Sequence, residues 1–133
     1  MQHHIIICQK KIAGPYKETM QEFIKRLSRY GKTEILTIKR PDQAGKYRKQ
    51  TGIHYRITPG FDSMSSENFA RKLQELEIHG QSHVYYYIGC GEAEESEEFH
   101  LSSFEMDPGL SAALLTEQIY RAYRIIKGEP YHK

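Results

Sequence analysis

Residues 84–88 read Val-Tyr-Tyr-Tyr-Ile and run directly into Gly89-Cys90-Gly91. Five β-branched or aromatic residues without a charge describe a strand that packs its alternate side chains on two covered faces. Ile5-Ile6-Ile7-Cys8 is a second run of the same kind. Strands buried on both sides belong to parallel sheets, because the crossover connections of such sheets lay helices over them. A chain with two such strands is thereby restricted to an α/β architecture.

The intervening segments supply those helices. Tyr16, Met20, Phe23, Ile24 and Leu27 mark one face of a helix that opens near Pro15, where proline suits a first turn, and closes near Gly31. Glu34 to Ile38 and Ile53 to Ile57 read as further strands. Ser65 is an N-cap residue, with Met64 before it and Phe69 four positions into the helix placed as a hydrophobic staple; that helix continues through Leu73 and Leu76 and stops by Gly80. A last helix is expected from about Leu110 to Lys127, because Leu115, Ile119, Ala122 and Ile126 form one stripe. Gly128 can adopt positive φ just past its final turn, and Pro130 prevents resumption. Strand, helix, strand, basic segment, strand, helix, strand, loop and helix make one α/β domain over residues 1–133, with a mostly parallel sheet and helices on both faces.

Several function classes are excluded. No apolar run approaches the roughly 20 residues that span a bilayer, and the Met1-Gln-His-His start lacks a secretory pattern, so a cytoplasmic protein without membrane attachment is expected. Cys8 and Cys90 are far apart and read as reduced thiols. His79 and His83 have a metal-ligand spacing, but Gly80 breaks the helix that would align them, and no metal is expected. His3 and His4 could cluster with His54 on neighbouring strands, with no acidic partner implied. The net charge of +2 conceals segregation: Lys39, Arg40, Lys46, Arg48 and Lys49 flank Tyr47, whereas Glu92, Glu94, Glu95, Glu97, Glu98, Glu105 and Asp107 fall in a stretch without Lys or Arg. The basic segment, followed by Tyr55 and Arg56, can meet phosphate and stack on bases, or can be a solvated face.

Ligands of open parallel sheets sit beyond the carboxyl ends of the strands, which directs attention to Thr58–Ser63 and Gly89–Gly91. A glycine straight after a buried strand lets main-chain groups approach a flat ring such as adenine, although it serves a simple turn equally well. No dinucleotide fingerprint or phosphate-loop motif accompanies it. The second candidate region is Tyr131-His132-Lys133: an aromatic ring, a group that titrates near neutrality and a cation, at a terminus expected to fray unless tied down.

Glu117-Gln118-Ile119-Tyr120-Arg121-Ala122 and the closing Pro130-Tyr131-His132-Lys133 stand in the order found in the SPOUT-class ribosomal large-subunit pseudouridine N3-methyltransferases. The resemblance extends, unevenly, along the whole chain. Ile88-Gly89-Cys90 is similar to the family's Ile-Gly-Gly, and Ile57 takes the place of a leucine that touches the cofactor there. Leu101-Ser102-Ser103-Phe104-Glu105-Met106-Asp107-Pro108 corresponds to the family's Leu-Ser-X-X-Thr-Leu-Pro-His. Between Gly89 and Leu101 the chain is shorter than the family, which carries a helix there. The resemblance implies a homodimeric fold with a C-terminal trefoil knot and S-adenosylmethionine bound by Ile57, Gly89, Leu101, Ser102, Ser103, Phe104, Glu105 and Met106. It further implies methylation of a pseudouridine N3 in 23S ribosomal RNA of the large subunit, with Arg121, Tyr131, His132 and Lys133 on the substrate side. A divergent, non-catalytic paralogue binding RNA or protein as a dimer is the alternative.

Overall fold

The computed structural model describes residues 1–93 and 96–132; Glu94, Glu95 and Lys133 lie outside the described residues. The elements follow in the order β1 (Gln2–Cys8), α1 (Gly14–Leu27), β2 (Thr33–Ile38), a 3-10 turn (Pro41–Ala44), the one-turn helix α2 (Gly45–Arg48), β3 (Ile53–Ile57), α3 (Ser66–Ile78), β4 (His83–Ile88), β5 (Glu97–Phe99) and α4 (Pro108–Ile126). Five strands form one sheet in the order β2-β1-β4-β3-β5, and every pairing is parallel. No helix of the described residues is long and apolar enough to cross a membrane.

β1 and β4 lie side by side within the sheet, and their alternation divides the interior in two. Ile5, Ile7, Val84, Tyr86 and Ile88 turn to one face, where they meet Met20 and Leu27 of α1, Phe69 and Leu73 of α3 and Leu115 and Ile119 of α4. Ile6, Tyr85 and Tyr87 turn to the other, with Ile38, Cys90 and Ala44. The expected cover of helices on both faces is therefore met unevenly: the long helices share one face, and the 3-10 turn and α2 cap the other through Ala44 and Tyr47.

A stack of rings replaces the missing long helix. His83, His4, Tyr85, His54 and Tyr87 follow one another with centroids 5.2, 4.6, 4.8 and 5.8 Å apart, and the Arg48 guanidinium lies 4.9 Å from the Tyr87 centroid. Such rings shield the sheet with their faces while their edges stay hydrogen-bonded. His4 Nδ1 bonds Glu34 at 2.7 Å, and its Nε2 is 3.0 Å from His83 Nδ1. The Tyr87 hydroxyl meets His54 Nδ1 at 2.8 Å, and His54 Nε2–H donates to the Gln50 carbonyl at 2.9 Å. The histidine cluster expected from sequence thus has different members: His83 joins it, Glu34 is its acidic partner, and His3 points to the opposite face because it precedes His4 on a strand.

β5 has no counterpart in the sequence reading. Glu97 and Glu98 are exposed and only Phe99 enters the core, so periodicity cannot reveal the strand; it is held by pairing of Tyr55 with Glu97 and Ile57 with Phe99 along the edge. Charged side chains on such an edge discourage pairing with another chain. Ser65 caps α3 as expected, accepting from the Asn68 amide at 3.1 Å. α4 begins two residues before the expected Leu110 because Asp107 accepts from the Gly109 and Leu110 amides at 2.8 and 3.3 Å, with Pro108 as the first helical residue. At its far end Gly128 has φ +65°, its amide bonds Ile125 O and the Glu129 amide bonds Arg124 O, the two bonds of a Schellman motif.

His3 is fully buried, with Nδ1 3.0 Å from the Tyr86 hydroxyl and Nε2 2.8 Å from that of Tyr123. Burial pushes its pKa down to about 3 from an ordinary 6.5. The unfolded chain therefore takes up a proton below about pH 6.5 that the folded chain refuses until about pH 3, and stability contributed above this window is lost as the pH falls through it. The limiting slope is about 1.4 kcal/mol per pH unit. Urea unfolding between pH 6 and 4 should accordingly show a slope shallower by about 1 kcal/mol per pH unit in His3→Gln than in the parent; equal slopes would contradict the assignment.

Candidate functional site

A cavity of about 290 Å³ opens beyond the carboxyl ends of β3 and β4, where the sequence directed attention. Its walls combine apolar and polar groups: Ile57 and Ile88 from strand ends, Leu101 and Met106 from the β5–α4 connection, and Thr58, Ser102 and Ser111 among the polar groups. The β4 strand stops because Gly89 takes φ +69° and Gly91 φ +77°, a backbone direction that residues with a Cβ rarely adopt. These turns bring main chain rather than side chains against the cavity.

Cys90, between the glycines, does not obstruct the site. Its thiol lies 3.4 Å from Ile88 O and 3.6 Å from Ile6 O and belongs to the second core cluster. Burial raises its pKa to about 11, so it stays protonated and unreactive near neutrality. Cys8 is likewise a free thiol.

Of the residues expected around a cofactor, Ile57, Gly89, Leu101, Ser102, Phe104, Glu105 and Met106 line this cavity. Ser103 does not: the Phe104 amide donates to Ser102 Oγ at 2.8 Å, and the resulting turn leaves Ser103 exposed. Thr58 and Pro59, in the loop singled out, and Pro108, at the end of the segment matched to the family, also form the wall. Ser111 carries no sequence signal, and Arg56 stands out in the sequence only as following the basic stretch, not as part of this cavity.

Arg121, Tyr131 and His132 come together elsewhere, over the outer surface of α4, and none of them lines the cavity. Arg121 reaches back one turn to Glu117 with Nε and Nη2 at 3.0 and 2.7 Å, which raises its already high pKa. Tyr131 donates to the same carboxylate at 3.0 Å, packs edge-on to Tyr120 with centroids 4.9 Å apart, and lies beneath the Arg121 guanidinium at 4.8 Å. The tail expected to fray is thus tied down through residue 132. Lys133, the fourth residue singled out, lies outside the described residues.

The partners of His132 settle its tautomer. Arg121 Nη1, which can only donate, bonds Nδ1 at 3.1 Å, so the ring proton is on Nε2, which donates to Glu67 at 2.6 Å. That hydrogen bond holds the Glu67 carboxyl below its ordinary range. Glu67 sits in the first turn of α3, and nothing in the sequence pattern linked it to a residue 65 positions away. A carboxylate oriented against one imidazole nitrogen, with a cation against the other, is an arrangement able to hold, orient and move a proton.

A parallel sheet with a cavity at the carboxyl ends of its strands places the chain in the α/β class. Residues 1–132 match the family described as "Predicted SPOUT methyltransferase", and the chain belongs to the SPOUT methyltransferase family. It is 35% identical to "Ribosomal RNA large subunit methyltransferase H 1" of Thermoanaerobacter sp. (strain X514) over 133 residues, all of both chains, so that relative has no longer connection after Gly91. It is 35% identical to the "Ribosomal RNA large subunit methyltransferase H" of Acetivibrio thermocellus, over 96% of this chain and 98% of the other. The protein of the same name from Carboxydothermus hydrogenoformans is 33% identical over the same shares. Both of these alignments extend over 155 positions against the 133 residues here, so these relatives carry insertions.

A Cβ built on Gly89 would stand 3.4 Å from the nearest atom, the Cys8 carbonyl oxygen, which is ordinary contact. The cost of Gly89→Ala is therefore conformational, and denaturant unfolding should show a loss of about 1–2 kcal/mol. An unchanged midpoint would mean that the turn relaxes without loss.

Proposed function

We propose that this chain is one methyltransferase domain spanning residues 1–133, which acts as a cytoplasmic homodimer and transfers a methyl group from S-adenosylmethionine to N3 of a pseudouridine in 23S ribosomal RNA of the large subunit. The observation that carries the reading is the cavity at the ends of β3 and β4, whose wall includes seven of the eight positions that the family resemblance assigns to the cofactor. The names of the relatives at 35% identity support the substrate class. A trefoil knot over the C-terminal half belongs to the same proposal. In support, β5 pairs outside β3, the Gly60 amide bonds Ser102 O at 3.1 Å, and α4 then returns to pack on β1.

The residues present fit the cofactor. Gly89 and Gly91 bend main chain against the cavity, Ile57, Ile88, Leu101 and Met106 supply apolar surface for a purine, and Thr58 and Ser102 add polar groups. S-adenosylmethionine would supply a sulfonium methyl group open to attack by an aligned nitrogen lone pair, with the thioether as leaving group. The protein has to align the base and accept the N3 proton. His132 can accept it at Nδ1 once Arg121 swings from that nitrogen to a uracil oxygen or a phosphate, and Glu67, already bonded to Nε2–H, then stabilises the imidazolium. Tyr131 holds Arg121 from below and shares Glu117 with it. Because none of these groups lines the cavity of its own chain, the pairing of cavity and tail is assigned to two subunits. An open groove formed by Met64, Phe69, Leu101 and Leu114 offers apolar surface for that contact.

The departures from the family motif have structural roles, which disfavours a non-catalytic paralogue. Cys90 packs into the core behind the cavity, and Asp107-Pro108 is the cap and first residue of α4. The short connection after Gly91 is shared with the Thermoanaerobacter relative.

Calorimetry should give micromolar binding of S-adenosylmethionine, and no heat at millimolar cofactor would overturn the proposal. His132→Ala should lower methylation of 50S subunits or 70S ribosomes by about 100-fold or more, the scale of a lost acid–base group, with cofactor affinity unchanged. Removing residues 131–133 should abolish methylation, with some loss of stability because Tyr131 packs on Tyr120.

A further inference from the structure

The cavity at the strand ends is small for the whole of the proposed cofactor. Its volume of about 290 Å³ stands at the lower edge of the roughly 300–1,000 Å³ typical of sites that enclose a drug-sized ligand. A nucleoside carrying a five-atom amino-acid arm overfills it unless the arm leaves through the wall. One wall residue also belongs to a neighbouring cavity of about 330 Å³: Arg56, which lines both. Among the described residues, the rest of the wall of the second space is Glu92, Ala93, Ser96 and Glu98.

The chemistry of that second space is zwitterionic. Arg56 Nη2 bonds Glu98 at 2.6 Å, and Nη1 stands 4.0 Å from Glu92. His100 lies on the other side of Glu98, with Nε2 3.6 Å from the carboxylate and Nδ1–H donating to the Thr58 carbonyl at 2.7 Å. A guanidinium has five N–H donors in a fixed fork, and the Glu98 bond uses one of them. Ser96 Oγ is buried in the same wall with no hydrogen-bond partner among the described residues. A guanidinium, two carboxylates and a hydroxyl without a partner among the described residues stand around one space and form a receptor for a group bearing both charges.

We propose that Arg56 is the amino-acid clamp of the cofactor site. The arm passes from the first cavity into the second, its α-carboxylate pairs with the Arg56 guanidinium, and its α-ammonium lies against Glu98 and Glu92. This rests on the assignment of the first cavity to S-adenosylmethionine. Bidentate guanidinium–carboxylate pairing fixes orientation as well as adding affinity. The clamp gives Glu92 and Glu98 a function: these two carboxylates hold Arg56 and receive the ammonium.

The test compares three ligands by calorimetry: S-adenosylhomocysteine, its decarboxylated analogue, which keeps the amine, and 5′-methylthioadenosine, which lacks the arm. The parent protein should bind S-adenosylhomocysteine about 10- to 100-fold more tightly than 5′-methylthioadenosine, the scale of a charged hydrogen-bonded pair. Arg56→Gln should remove that preference and leave affinity for 5′-methylthioadenosine and for the decarboxylated analogue unchanged, which also reports intact folding. Glu98→Gln should weaken the decarboxylated analogue and S-adenosylhomocysteine alike. If the parent binds 5′-methylthioadenosine and Arg56→Gln still prefers S-adenosylhomocysteine, the clamp is refuted while the cofactor site stands. If the parent binds none of the three, both assignments fail.

Discussion

β4 is hydrogen-bonded on both sides, to β1 and to β3, and is buried on both faces. No other strand contributes so fully to the two cores, since Tyr86 and Ile88 serve one while Tyr85 and Tyr87 serve the other. A strand satisfied in every direction cannot continue past the layers that cover it, and it is stopped by two glycines with positive φ. The candidate cofactor cavity is a direct consequence. Where β4 ends and the main chain turns aside, the ends of β3 and β4 and the approach to α4 leave a space that no side chain fills.

The two sets of candidate functional residues obey different physical rules. Around the cavity, the protein offers bent main chain, short polar side chains and apolar surface, with Arg56 and Glu105 as charged groups of the described wall. Around the tail, it offers charge and a defined imidazole tautomer: Glu67, His132, Arg121, Glu117 and Tyr131 form one hydrogen-bonded run. Both sets are held from α4. Asp107-Pro108 starts the helix at the cavity wall, while Gly128 ends it so that Tyr131 can fold back on Tyr120. The rigidity of a single 19-residue helix is therefore what relates them.

Much of this was legible in the chain because local physics wrote it. The apolar stripes, Ser65, Pro15 and Gly128 located the long helices to within a few residues, and the β-branched and aromatic runs located four of the strands. β5 was hidden because an edge strand with one inward side chain has no period to detect. The ring stack was hidden for another reason: His4, His54 and His83 are polar residues in strand segments, and only the parallel register places their rings face to face. In the site, the glycines, Ile57 and the Leu101–Met106 segment were readable, but the place of Arg56 in the cavity wall and the role of Glu67 were not. Their significance lies in partners 42 and 65 positions distant.

The sequence by itself determined the α/β class, the strand that must be buried on both faces, the ends of the long helices and the family resemblance. Each depends on residues adjacent along the chain or on repeating spacings of a few residues, which carry their own conformational preferences. Only the tertiary structure decided that the long helices gather on one face, that Cys90 turns away from the cavity and Ser103 out of it, and that Glu67 and Arg121 take opposite nitrogens of one imidazole. Those outcomes depend on which distant segments the sheet order brings side by side, and local preference holds no information about that.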